Sequence, residues 1–406
     1  MKAAQRKNAD ESWLNRAIID EAWDYAESDT QALTHNIHRY SGKFIPQIAA
    51  RVIRMLSEPK DFILDPYCGS GTVLVEAALA DRRALGIDLN PLAVLIAQTK
   101  IAPVPRQALV NLQRQMSEVV AGLGNDDMPS LFTSLSAEIN SALRRDKNKR
   151  LSDPWFCKWF QPKVLQDLVV IESEIEKLDD ARLRNVALVV FSDVLRKSSN
   201  AHSGYPNIMF DRKAPKKPRP GKPFLRALER VCSMIAMLSE DPADWSKVAA
   251  KHGTAIETGV HPNSVDLIVT HPPYIGSIPY AEYGALSLKW LGHDPKALDR
   301  ALTGGRRQAR DVVQRFRESY AHMLEEAYRV LRHGKYAFLM VGNPVVRGEV
   351  VDLATMTIDL AERADFRLVA STERRAVNRR ANKMGGEHLL FFQKSETANK
   401  TLRSAA

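Results

Sequence analysis

An apolar strand that runs into a Gly-x-Gly turn and then a helix, with a second strand ending in an acid about 20 residues on, constrains this chain more than any other feature. The first part is Phe62-Ile63-Leu64-Asp65-Pro66-Tyr67-Cys68-Gly69-Ser70-Gly71-Thr72, followed by a helix from Val73 to Ala80. Glycines permit a tight turn and close approach of backbone to a ligand, and the helix start beyond leaves free N–H groups. A dinucleotide site calls for a third glycine, but Gly71 is followed by Thr72, Val73 and Leu74. Instead an acid, Asp65, precedes the turn, which suits a cationic or amine-bearing ligand better than a pyrophosphate. The second strand, Arg83-Ala84-Leu85-Gly86-Ile87-Asp88, ends in an acid placed to accept hydrogen bonds from both hydroxyls of a ribose. Asp88 also reads as the N-cap of a helix from Leu92 to Lys100, and the two roles are compatible. The whole unit predicts a nucleoside cofactor.

A second constellation stands far downstream. His271-Pro272-Pro273-Tyr274 follows the apolar run Val265-Asp266-Leu267-Ile268-Val269-Thr270, which reads as a buried strand. Two prolines fix φ and give up their N–H donors, leaving a rigid loop of carbonyl acceptors beside an aromatic ring. Such a loop suits a flat ring with an exocyclic amine, which describes a nucleobase. Alone, the tetrapeptide reads equally well as the end of a strand.

Together these segments resemble the S-adenosylmethionine-dependent amino-methyltransferases of DNA. Asp65 to Thr72 is similar to their cofactor motif, and His271 to Tyr274 to their catalytic motif, in which Asp, Asn or Ser precedes Pro-Pro-Tyr. His35-Asn36-Ile37-His38-Arg39-Tyr40-Ser41-Gly42-Lys43-Phe44-Ile45-Pro46 resembles the segment that completes their cofactor pocket. The stretch from Pro272 through Tyr280, Tyr283, Leu288, Trp290 and Gly292 is similar to the cytosine-N4 branch. The resemblance covers residues 35 to 105 and 260 to 393. It implies an α/β fold, a Rossmann-like class I methyltransferase sheet with a C-terminal antiparallel strand pair and a largely helical insert. It also implies S-adenosylmethionine as cofactor, held by Lys43, Phe44, Asp65, Pro66, Tyr67, Gly69, Ser70, Gly71, Thr72, Asp88 and Leu89, and catalysis by His271, Pro272, Pro273 and Tyr274. No metal is expected.

Composition agrees with a folded protein that meets a polyanion. Of 406 residues 45% are apolar, and the formal charge is +10 with a pI near 9.4. Cys68, Cys157 and Cys232 are scattered, without metal spacing or a disulfide framework, as in a reducing cytoplasm. No apolar run approaches the roughly 20 residues of a membrane helix. The first eleven residues lack the apolar core of a signal peptide.

Along the chain, residues 1–34 read as a polar helical arm with Trp13 and Trp23 as anchors. Residues 35–105 and 251–395 form the catalytic domain, 106–250 a helical insert and candidate target-recognition region, and 396–406 a tail. Helical periodicity marks Leu109–Leu123, Val164–Leu178 and Arg182–Leu195. Arg196 to Arg226 carries nine Lys or Arg against one acid, Asp211, and its stretch Ala214–Pro223 excludes helix and central strand. It reads as a basic arm for DNA phosphates or as a solvated linker. Trp155, Phe156, Trp159 and Phe160 read as helix core before a stacking surface. Thr254–Glu257 is a short strand whose Glu257 is within reach of a cofactor adenine. A helix from Glu318 to Leu331 closes at His333-Gly334, followed by a strand Lys335–Val341. Phe366–Ala370 and His388–Phe392 pair at the end, flanking a basic loop with Arg374, Arg375, Arg379, Arg380 and Lys383.

The resemblance implies double-stranded DNA as partner and base flipping before transfer. Tyr274 then stacks on the base, while the Pro272 carbonyl and the residue-271 side chain accept the two amine hydrogens. His271 departs from the family pattern. Imidazole accepts only when neutral, so activity should fall on acidification. Cys157 and Cys232 follow Phe and Val, so the cysteine-nucleophile chemistry of cytosine-N5 enzymes is set aside. Adenine-N6 transfer, RNA base transfer, glutamine methylation of a protein and a silent DNA-binding homologue stay open, as does a cognate restriction enzyme in a separate chain.

Overall fold

The computed structural model describes residues 17–19, 22–123, 148–203, 208–276, 279–303, 311–375 and 386–395. The segment from 35 to 100 opens with helix α1 (Pro46–Leu56), strand β1 (Phe62–Asp65), helix α2 (Thr72–Leu79), strand β2 (Arg83–Asp88) and helix α3 (Pro91–Lys100). Proline at the first position of α1 and α3 costs nothing, because that N–H has no helical partner. Asn90, rather than Asp88, caps α3 by accepting from Leu92 N at 3.1 Å.

The insert adds α4 (Arg106–Gly122), α5 (Asn148–Ser152), α6 (Pro154–Trp159), α7 (Pro162–Glu176), α8 (Ala181–Ser198) and α9 (Gly221–Glu240). The last begins inside the proline-rich arm expected to exclude helix: Pro220 caps it and Pro223 falls in its first turn, where proline is tolerated. Insert residues Leu168, Val190 and Leu228 share one core with sheet residues Ile63, Leu267 and Phe338, all buried. The aromatic quartet belongs to that core: Phe156, Trp159 and Phe160 are buried, and Phe156, Phe160 and Phe191 each meet the Trp290 ring edge-on.

Strand β3 (Val248–His252) resumes the sheet, then β4 (Val265–Thr270), α10 (Tyr280–Tyr283), α11 (Ala285–Trp290), α12 (Pro295–Ala301), α13 (Val312–Val330), β5 (Leu331–Gly342), the small pair β6 (Val345–Val346) and β7 (Glu349–Val350), α14 (Leu353–Arg363), β8 (Phe366–Arg374) and β9 (Glu387–Lys394). The sheet order is β3-β2-β1-β4-β5-β9-β8, with β9 antiparallel to both neighbours and the other pairings parallel. This is the Rossmann-like α/β sheet with an antiparallel C-terminal pair. The order turns at β1, so the C-terminal ends of β1 and β4 open a crevice, where ligands of such sheets bind.

Three further expectations are corrected. The third strand is Val248–His252, while Thr254 and Glu257 form only an isolated bridge. Helix α13 starts at Val312 and ends at Val330, and Gly334, with φ of 76°, lies within β5 where the pairing with β4 shifts register. Of the described residues before 35, only 17–19 and the start of the single turn Leu33–Asn36 are helical, and 22–32 are not. Trp23 does anchor it, 2% exposed, with Arg51 stacked 3.7 Å over its ring. Trp13, Arg379, Arg380 and Lys383 lie outside the described residues.

Candidate active site

At the end of β1 the chain turns at Gly69 and Gly71, with φ of 50° and 79°. A Cβ on Gly71 would lie 2.8 Å from the Ala97 Cβ on α3, so glycine is required there by both backbone and packing. The Gly69 N–H donates to Asp88 Oδ2 at 2.8 Å, and the Asn90 N–H to Asp88 Oδ1 at 2.8 Å. Asp88 thus ties the glycine turn to the end of β2. Burial pushes its carboxyl up to about 6 despite these two donors.

A cleft opens above this turn. It is bordered by Pro66, Tyr67, Gly69, Asp88, Leu89, His271 and Pro273, all nominated by sequence, and by Tyr40, Gly42, Asn90, Thr254, Ala255, Ile256, Tyr280, Leu302, Thr303 and Ser319. Glu257 is exposed and is not among its walls; Ala255 and the 41% exposed Ile256 provide an apolar patch instead. A carboxylate at Asp88 with an apolar patch of Leu89, Ala255 and Ile256 beside it has the chemistry to suit an adenosine.

The other nominated residues stand behind this surface. Lys43 Nζ donates to the carbonyls of His35 (2.9 Å) and His38 (2.7 Å), so it shapes the 35–46 loop. Burial, reinforced by Arg230, lowers its pKa to about 8. Phe44 is buried, its ring 5.6 Å from that of His271 and 6.2 Å from that of Phe338. Asp65 is 3% exposed and accepts from Thr270 Oγ1 at 2.7 Å and Tyr67 N at 3.2 Å, which joins the ends of β1 and β4. Burial raises its pKa to about 7. Ser70 Oγ accepts from the fully buried Lys100 Nζ at 3.2 Å, and Thr72 is buried in the first turn of α2.

Sequence reasoning placed Tyr274 face-on to a substrate, but its ring is buried and does not border the cleft. Its hydroxyl donates to Glu387 Oε1 at 3.1 Å and lies 2.6 Å from His271 Nε2. Glu387 also accepts from Arg374 Nη1 at 2.8 Å, within an ion pair buried on both sides. A carboxylate facing Arg374 only accepts, so the single Tyr274 proton goes to Glu387. His271 Nε2 must then carry hydrogen and donate to Tyr274, leaving Nδ1 as the only acceptor of the ring. Burial lowers the His271 pKa, with Glu387 opposing and Arg374 reinforcing the shift, so the ring is neutral at neutral pH. Arg374, which the sequence places in a basic loop, is a buried structural cation at the end of β8 that also donates to Asp24 O at 3.3 Å.

The model of a family described as "DNA methylase" matches residues 2–99. The Type II methyltransferase M.MjaII of Methanocaldococcus jannaschii is 23% identical over 90% of this chain and 82% of its own length. The Type II methyltransferase M.MvaI of Kocuria varians is 24% identical over 71% of this chain and 65% of its own. Among solved structures, an S-adenosylmethionine-dependent methyltransferase of Methanosarcina mazei covers 85% of this chain and 98% of its own at 12% identity, TM-score 0.34.

Proposed function

We propose that this chain, which belongs to the S-adenosylmethionine-dependent DNA amino-methyltransferases, moves a methyl group to an exocyclic base amine in double-stranded DNA, with cytosine N4 as the acceptor. One observation carries the reading. His271 and Pro273 border the same cleft as Gly69, Asp88 and Leu89, so the amine-accepting loop and the nucleoside site face one space.

S-adenosylmethionine supplies an electrophilic sulfonium methyl when bound. Asp88 would accept from the ribose, and Leu89, Ala255 and Ile256 would cover the adenine. The target amine must leave the duplex stack to reach His271 and Pro273. There His271 Nδ1 and the Pro272 carbonyl accept its two hydrogens and direct the nitrogen lone pair toward the methyl, and His271 Nδ1 takes the proton that the amine sheds as the N–C bond forms. This is positioning and electrostatics without a covalent enzyme intermediate. Tyr274 contributes through its hydroxyl, which fixes the His271 tautomer, and Tyr280 offers an aromatic wall to the base. Cytosine is favoured by the likeness of residues 272–292 to the cytosine-N4 branch. Residues 106–250 would read the target sequence, and a cognate restriction enzyme would be a separate chain.

Transfer of label from S-adenosylmethionine to duplex DNA, RNA or protein tests the reading. Label in duplex DNA alone is expected; label only in RNA or in protein refutes it.

A further inference from the structure

Beside the cofactor cleft lies a larger one, about 230 Å³ against about 120 Å³. The two share Tyr40 and Tyr280, whose rings lie 6.0 Å apart and 25° from parallel. Among the described residues, four cations border the larger cleft, Arg39, Arg196, Lys197 and Lys217, against one carboxylate, Asp193. That acid is already divided between Lys197 at 3.6 Å and Arg230 at 3.8 Å. His38 adds no charge at neutral pH, since burial lowers its pKa to about 4. Burial first, and then the neighbouring Arg39 charge, lower the pKa of Arg196. The fold therefore holds like charges around a concave surface, an arrangement that an anion relieves.

The backbone that carries two of these cations is held in place. Arg196 lies in the last turn of α8. The Lys217 N–H donates to Gln161 Oε1 at 3.2 Å, and Gln161 Nε2 donates to Pro215 O at 3.0 Å. Arg219 pairs with Asp167 and donates to Leu123 O at 2.7 Å. The basic, proline-rich arm is thus docked along the insert and delivers Lys217 to the cleft. Ammonium and guanidinium donors suit phosphate oxygens, and most hydrogen bonds of a DNA-binding protein go to the backbone. Tyr40, Tyr280 and Tyr283 also border this cleft, but its four cations exceed the few polar groups that orient a base.

We propose that this cleft binds the phosphodiester backbone of the target strand next to the extruded nucleotide, with Arg196 and Lys217 as its phosphate ligands. The proposal rests on the DNA-methylation reading above. The test measures affinity of the full chain for a methylatable duplex by fluorescence anisotropy at several salt concentrations, for the parent and for the pair Arg196→Ala with Lys217→Ala. The pair should bind roughly 10- to 100-fold more weakly near 0.1 M salt, with a log–log salt slope shallower by about 2, one for each phosphate that the protein no longer neutralises. S-adenosylmethionine affinity should be unchanged, which shows that the pair is folded. The charge-keeping pair Arg196→Lys with Lys217→Arg should retain the parental slope. A parent that methylates duplex DNA while the alanine pair keeps its affinity and slope overturns the proposal alone. A parent that neither binds nor methylates duplex DNA overturns the proposal together with the reading beneath it.

Discussion

Replacing Glu387 by glutamine should disable catalysis without touching the cofactor cleft. The carboxylate accepts at both oxygens, from Arg374 at 2.8 Å and from Tyr274 at 3.1 Å. An amide has one acceptor and one donor. Its oxygen should stay on the guanidinium, the stronger, charge-assisted bond. The NH2 then faces the Tyr274 hydroxyl, which must accept from it and send its own proton to His271 Nε2. The imidazole is driven to the Nδ1–H tautomer, and its free acceptor becomes a donor aimed at an amine. Losing one preorganised partner costs about 3 kcal/mol, or roughly 100-fold in rate. Single-turnover methyl transfer should show this loss with cofactor affinity unchanged, because Glu387 is not among the residues bordering the cleft. Nitrogen chemical shifts of the His271 ring should exchange their protonated and unprotonated assignments. A folded Glu387→Gln protein within threefold of the parental rate refutes the tautomer argument.

Because burial lowers the His271 pKa, the parental rate should stay flat through neutral pH and fall only below the ordinary imidazole value of 6.5; a pH–rate profile that declines from pH 8 downward contradicts this. Asp88→Asn should weaken S-adenosylmethionine binding by about 1–3 kcal/mol, since it loses acceptors toward the ribose and loosens the bonds to Gly69 and Asn90, and calorimetric titration checks it. Asp65 is raised from 3.8 to about 7, so it favours the fold below pH 4 and that contribution is lost as pH rises through 7. Asp65→Asn should therefore stabilise the cofactor-free protein at pH 8, by at most about 4 kcal/mol, and not at pH 4, as read by denaturant unfolding. Gly71→Ala, forced to a positive φ and into Ala97, should lower the thermal midpoint and cofactor affinity together.

The sheet was legible where short motifs carry the physics. The Gly69–Gly71 turn, the acid at Asp88 and the strand before His271 announce themselves through local rules of φ, spacing and apolar runs. Strand β3 was misplaced because Val248–His252 is a short edge strand with exposed Ala249, Lys251 and His252, while Thr254–Glu257 has the more β-like composition. The start of helix α9 is hidden in the sequence because its opening prolines read as a breaker, although a first helical turn accepts them. The tautomer network could not be read at all. Tyr274 and Glu387 are 113 residues apart and meet only because β9 lies beside β5, and Arg374 looked like one more basic loop residue. The same holds for the cationic cleft, where folding brings Arg39 up to Arg196. Lys43 and Phe44 were legible as a segment but not as roles, since only packing decides which side of a loop faces the cleft.

The most direct test is the chemical identity of the methylated base. Duplex DNA treated with the protein and S-adenosylmethionine, digested to nucleosides and resolved by mass spectrometry, should yield N4-methylcytosine. N6-methyladenine would move the acceptor within the same amine chemistry. A 5-methylcytosine product, or a parental protein that binds the cofactor and leaves duplex DNA unmethylated, would contradict the account built on His271, Pro272 and Pro273.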